Sequence, residues 1–88
     1  MAWTAEFDPR ALKELEKLDK SVQKRVVEFI QQRILGTPGP RELGKALQGG
    51  KVKLWRYRVG DYRLICRIHD EASRVRVLRV AHRREVYR

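Results

Sequence analysis

The sequence predicts an α+β domain, an antiparallel sheet with an N-terminal helical hairpin on one face, in the order β-α-α-β-β-β. Three observations carry that prediction. Apolar residues recur at three and four residues through positions 9–35, and they alternate at two from position 52 onward. The breakers Gly36, Pro38 and Pro40 stand between the two regimes. A chain of 88 residues supports one domain, spanning 1–88, because units of this size seldom divide into separately cored parts.

The elements follow in order. Trp3, Ala5 and Phe7 alternate with Thr4 and Glu6, the period of a short strand. Asp8-Pro9 ends it and starts a helix, since the carboxylate accepts from free first-turn amides and proline has no amide to waste. Ala11, Leu12, Leu15 and Leu18 form the apolar stripe of that helix. Asp19 and Ser21 are candidate caps for a second helix, whose stripe is Val22, Val26, Phe29, Ile30 and Ile34. Residues 37–50 read as loop, with room for one helical turn around Leu43–Leu47. Two strands, Val52–Val59 and Tyr62–His69, flank Gly60-Asp61, a tight turn where a positive φ costs little. The last strand, Arg74–Ala81, places Val75 and Val77 on one parity and Leu78 and Val80 on the other. A bulge near Val77-Leu78 reconciles them.

Composition narrows the function. Lys and Arg number 21 against 11 Asp and Glu, a net charge of +10, and the pI is about 10.5. A polyanion is the implied partner: nucleic acid first, with an anionic membrane surface or an acidic protein also compatible. The charge is uneven. Residues 1–50 carry nine basic against seven acidic side chains, and residues 51–88 carry twelve against four. Ten of those twelve are arginine, the residue suited to planar bidentate phosphate contacts.

Other classes fall away. No apolar run approaches the roughly 20 residues that span a bilayer, and the first residues lack a signal-peptide pattern, so a cytoplasmic protein is expected. A single cysteine, Cys66, and two histidines, His69 and His82, predict neither a disulfide nor a metal centre. No glycine-rich nucleotide loop is present, and no cofactor is expected.

A two-residue turn at Gly60-Asp61 sets Val59 opposite Tyr62 and Arg58 opposite Arg63. Trp55, Tyr57, Leu64, Cys66 and Ile68 then share the face under the helices, against Leu12, Leu15, Leu18, Val26, Phe29 and Ile30. The other face carries Arg56, Arg58, Arg63 and Arg67 beside Leu54 and Ile65. Such a row either solvates an open sheet or receives an anion that relieves the repulsion of Arg58 and Arg63. Cleaving RNA without a metal requires a base for the 2′-OH, positive charge for the phosphorane oxygens and an acid for the 5′-oxygen. Arginine supplies the charge, and tyrosine or histidine can move the protons. The scattered acids Asp61, Asp70, Glu71 and Glu85 do not make a carboxylate metal site.

Three segments resemble the RelE toxins of the RelE/ParE superfamily: Phe7–Leu18 (FDPRALKELEKL), Leu54–Leu64 (LWRYRVGDYRL) and Val80–Arg88 (VAHRREVYR). The resemblance implies a ribosome-dependent mRNA interferase, in which a 2′-OH attacks the adjacent phosphate and leaves a 2′,3′-cyclic phosphate and a 5′-OH. It also implies a cognate antitoxin that covers the basic surface. By position, Arg63 matches the family's phosphate-binding arginine and Arg56 a basic residue of the preceding strand. Arg83 matches the transition-state arginine, and Tyr87 the tyrosine that takes or orients the 2′-OH. A family lysine falls near Leu54 here, where Lys51 or Lys53 can supply the charge. His82 stands where some members have lysine and is a second proton carrier. Arg58, Arg67 and Arg84 complete the expected RNA contacts.

Two rival readings remain at this point. ParE-type members bind DNA gyrase on the same scaffold without ribonuclease residues, and a plain nucleic-acid-binding module needs no Tyr87. His82, Arg83 and Tyr87 together favour the ribonuclease. A free monomer is expected, because +10 on so small a domain discourages self-association.

Overall fold

The computed structural model describes residues 2–50 and 53–86. Strand β1 (Thr4–Phe7) leads through the Asp8 cap, whose carboxylate accepts from the Arg10 amide at 3.1 Å, into helix α1 (Pro9–Glu16). Helix α2 (Lys20–Glu28) continues as a wider π-helical stretch over Phe29–Ile34, closed by the Leu35 amide on the Ile30 carbonyl at 2.9 Å. A 3₁₀ turn at Pro40–Glu42 precedes β2 (Lys45–Leu47). Then come β3 (Leu54–Val59), β4 (Tyr62–His69), β5 (Arg74–His82) and the short helix α3 (Arg83–Val86).

The sheet order is β1-β5-β4-β3-β2. The hairpin register is as expected, with Val59 opposite Tyr62 and Arg58 opposite Arg63. Gly60 has φ 58°, and the turn needs a residue that tolerates it. The β5 bulge is present too. Ile65 pairs with Arg79 while Cys66 pairs with Val77, so Leu78 is the extra residue, and Val75, Val77 and Val80 all turn inward. The Val80 amide beside the bulge donates to Glu14 of α1 at 3.0 Å, and Arg79 donates to the same carboxylate.

The core forms between the helices and one sheet face. Tyr57, Leu64 and Cys66 are fully buried there with Ala11, Leu15, Val26, Ile30 and Ile34, while Trp55, Ile68, Phe29 and Leu18 pack at its margin. Burial pushes the Cys66 thiol pKa well above its usual value, which leaves it protonated. Tyr57 lies edge-on to Phe29 and donates its hydroxyl to the Pro40 carbonyl at 2.5 Å.

Four features differ from expectation. The sheet is not wholly antiparallel, because β1 runs parallel to β5, in register from Thr4 with Arg74 to Phe7 with Val77. Ion pairs from Arg76 to Glu6 and Asp8 tie that edge. The stretch around Leu43–Leu47 is a strand, not a helical turn. Gly44 at φ 78° turns the chain where a Cβ would stand 2.4 Å from the Arg56 carbonyl, and the next three residues take up the open edge of β3. Leu12 is 45% exposed, because the buried stripe of α1 runs through Ala11, Leu15 and Leu18. Strand β5 reaches His82, one residue further than its apolar alternation suggested. Val52 lies outside the described residues.

Candidate active site and nucleic-acid interface

The β3–β4 turn brings the expected arginines together. Arg56, Arg58 and Arg63 have the parity of the sheet face opposite the helices, and they line one cavity of about 380 Å³ with Arg33, Lys45 and Phe29. The cavity sits at the sheet edge where β2 ends, because β2 pairs only with Leu54–Arg56 and leaves the rest of β3 uncovered on that side.

Arg63 is not an open surface residue as the pattern suggested: it is 6% exposed. Its Nη1 donates to the carbonyls of Gly60 and Tyr62, both at 3.0 Å, so the turn backbone holds the guanidinium it precedes. Opposite it on β5 is Ala81, a side chain small enough to leave the arginine room. The neighbouring Arg58 is exposed. A buried and an exposed guanidinium therefore stand directly opposite each other across the hairpin, a placement that suits a shared anion.

His82 and Arg83 occupy the same end of the sheet from a different side. His82 pairs with Tyr62 at the end of β5, and the two rings meet edge to face with centroids 5.4 Å apart. Its Nδ1 accepts the Arg84 amide at 3.2 Å, while Glu85 accepts the His82 amide at 3.3 Å. This is a capping box with histidine in the place of serine. In the neutral ring the proton accordingly sits on Nε2, so that nitrogen is a donor and not a free base. The Arg83 amide donates to the Asp61 carbonyl at 2.7 Å, which anchors α3 to the turn. The Arg83 side chain is exposed, with its Nε 3.9 Å from the Asp61 carboxylate, a pairing too open to neutralise it.

Not every expected residue joins this end. Lys53 and Arg67 line a second cleft, Arg84 is exposed on α3, and Lys51 and Tyr87 lie outside the described residues. Among the described residues, no three His, Cys, Asp or Glu side chains converge as metal ligands would, and no helix is long and apolar enough to cross a membrane. Sequence reasoning missed Arg33, Lys45 and Arg25. Arg25 approaches the turn, with its Nη2 3.0 Å from where a Gly60 Cβ would stand. A partial signal existed for Arg33, which lies four residues after the core-packing Phe29 and so on its side of the helix.

A family model described as the ParE toxin of type II toxin–antitoxin systems, parDE, matches residues 5–87. The chain belongs to the RelE/ParE family of toxins. This toxin is similar to Toxin RelG of Mycobacterium tuberculosis, 36% identical over 88 residues that cover all of this chain and 99% of that one. Toxin RelE of the same organism is 33% identical over 78 residues, 89% of this chain and 78% of that one. Among solved structures, the RelBE2 toxin–antitoxin complex of M. tuberculosis superposes with a TM-score of 0.83 at 34% identity, covering 93% of this chain and 99% of that one. The isolated RelE toxin of E. coli does so with 0.72 at 30%, covering 98% and 92%. The five-stranded sheet and its helices are thus those of a RelE-type toxin.

Proposed function

We propose that this toxin is a metal-independent endoribonuclease that cleaves mRNA on the ribosome. The observation that carries the reading is the cavity in which Arg56, Arg58 and Arg63 converge with Arg33 and Lys45, at the same end of the sheet as Arg83. A phosphate seated there meets guanidinium groups that need no rearrangement as charge develops. The 2′-OH of one nucleotide loses its proton and attacks the adjacent phosphorus. Arg63 and Arg56 stabilise the phosphorane oxygens, and Arg83 faces the leaving side. The P–O5′ bond breaks, and the 5′-oxygen takes a proton, which gives a 2′,3′-cyclic phosphate and a 5′-OH. Tyr87 takes or orients the 2′-OH proton, and the Nε2–H of a neutral His82 suits it to donate one.

Lys53, Arg58, Arg67, Arg84 and Lys51 hold the RNA around this centre. The toxin acts in the cytoplasm, without cofactor, as a monomer when free. An acidic antitoxin silences it by covering the basic face, a partnership supported by related toxins solved with RelB antitoxins. Single-turnover cleavage of ribosome-bound mRNA in EDTA tests the reading, and the fragments carry a cyclic or 3′-phosphate and a 5′-OH. Gyrase binding with intact mRNA replaces this reading with the ParE-type one, which the name of the matching family model keeps in view.

A further inference from the structure

A second cleft, of about 640 Å³, lies at the opposite end of the β3–β4 hairpin from the turn. Its size falls within the roughly 300–1,000 Å³ of ordinary small-ligand sites. One wall is unusually well fixed. Trp55 donates its indole N–H to the Leu43 carbonyl at 2.7 Å, which sets the ring plane. Arg41 lies over that ring, its Cζ 6.0 Å from the centroid. Two parallel hydrogen bonds to Asp70, at 2.7 and 2.9 Å, hold the guanidinium in place. A planar cation backed by an indole is a stacking surface for another flat, electron-rich ring.

The rest of the lining completes a nucleotide's chemistry. Leu54 supplies apolar area, and Lys53 and Arg67 are exposed cations with no carboxylate partner among the described residues. The Asp70 carboxylate retains acceptor capacity beyond its pairing with Arg41, which suits the exocyclic amine of a base and repels an acidic peptide. Arg67 and Arg63 share a parity on β4, four residues or roughly 13 Å apart. One strand of RNA can therefore run from this cleft toward the arginine cavity.

We propose that the cleft bounded by Arg41, Trp55, Lys53, Arg67 and Asp70 is a subsite for one nucleotide of single-stranded RNA, its base on the Arg41–Trp55 surface and its phosphate between Lys53 and Arg67. The inference rests on RNA as the substrate and adds a contact remote from the cleavage centre. The sequence holds two tryptophans, Trp3 and Trp55, so a Trp3→Phe protein reports on Trp55 alone. The probe is a 5′-phosphorylated diadenosine RNA, short enough to leave the turn end untouched.

It quenches Trp55 fluorescence in the absence of ribosomes. Lys53→Ala and Arg67→Ala each weaken its binding by about fivefold with the far-UV circular dichroism unchanged, while replacing an exposed cation of helix α1, Lys13→Ala, has no effect. Lack of quenching overturns the proposal, and so does equal weakening by Lys13→Ala, which marks a diffuse basic field. A stronger response to the acidic peptide Leu-Glu-Leu-Glu overturns it in favour of a peptide groove. Cleavage of ribosome-bound mRNA by the unmodified protein is scored separately. Quenching with intact mRNA removes the ribonuclease reading and keeps RNA binding at this cleft, and cleavage without quenching does the reverse.

Discussion

The arginines of β5 and those of β3 and β4 belong to one sheet but do different work. On β5, Arg74 and Arg76 meet Glu6, Arg76 also meets Asp8, and Arg79 meets Glu14. These cations fasten β1 and α1 to the sheet. On β3 and β4, Arg58 and Arg67 have no carboxylate partner among the described residues, and Arg63 donates to the backbone carbonyls of its own turn. A count of basic residues therefore overstates the surface offered to an anion. Position beside an acid, more than residue type, separates the arginines that hold the fold from those available to a phosphate.

The largest effect that sharpens this contrast is on chemistry. Arg63→Ala and Arg83→Ala each slow single-turnover cleavage by about 10²-fold or more, the scale of losing one donor to a developing oxyanion. Tyr87→Phe falls in the same range if its hydroxyl moves the proton. Full activity in Tyr87→Phe removes the tyrosine from the proton transfer. Arg76→Ala leaves the cleavage rate of the folded protein unchanged, and a hundredfold loss there breaks the comparison.

Uncompensated charge also sets encounter rates. Association with an acidic antitoxin slows by about tenfold or more between low and high ionic strength in stopped flow. A rate indifferent to salt means that the open arginines do not steer the partner.

On the paired side the effect is on stability. Glu14→Ala strands both the Arg79 guanidinium and the Val80 amide at the bulge, and it lowers unfolding free energy by about 1–3 kcal/mol in urea titrations. An unchanged midpoint assigns the bulge to strand pairing alone.

The smallest effect concerns Asp8. The hydrogen bond from the Arg10 amide, and then that from Arg76, hold its carboxyl below the ordinary 3.8. A depressed folded pKa contributes stability that is complete above the unfolded value and is lost as pH falls through the folded one. Asp8→Asn keeps a cap acceptor but loses the charge. Between pH 2 and 4 its melting temperature therefore falls less steeply than that of the unmodified protein, and parallel curves overturn this account.

Much of the molecule was legible in the order of its residues. The Gly60-Asp61 turn and the alternation around it determine which residues face which. Asp8-Pro9 starts α1, and the clash of parity across Val77-Leu78 announces the bulge. All these depend on neighbours within a few positions, where sterics and periodicity act directly. The tertiary structure alone decided which strand β1 joins, that residues 45–47 complete the sheet edge, and that Arg63 is buried and held by its turn. It also brought Arg33 and Lys45 to the arginine cavity, and set His82 Nδ1 to accept the Arg84 amide. These outcomes depend on groups that meet only after the helices have crossed the sheet. A local pattern specifies the face a side chain takes, but not what the rest of the chain places against it.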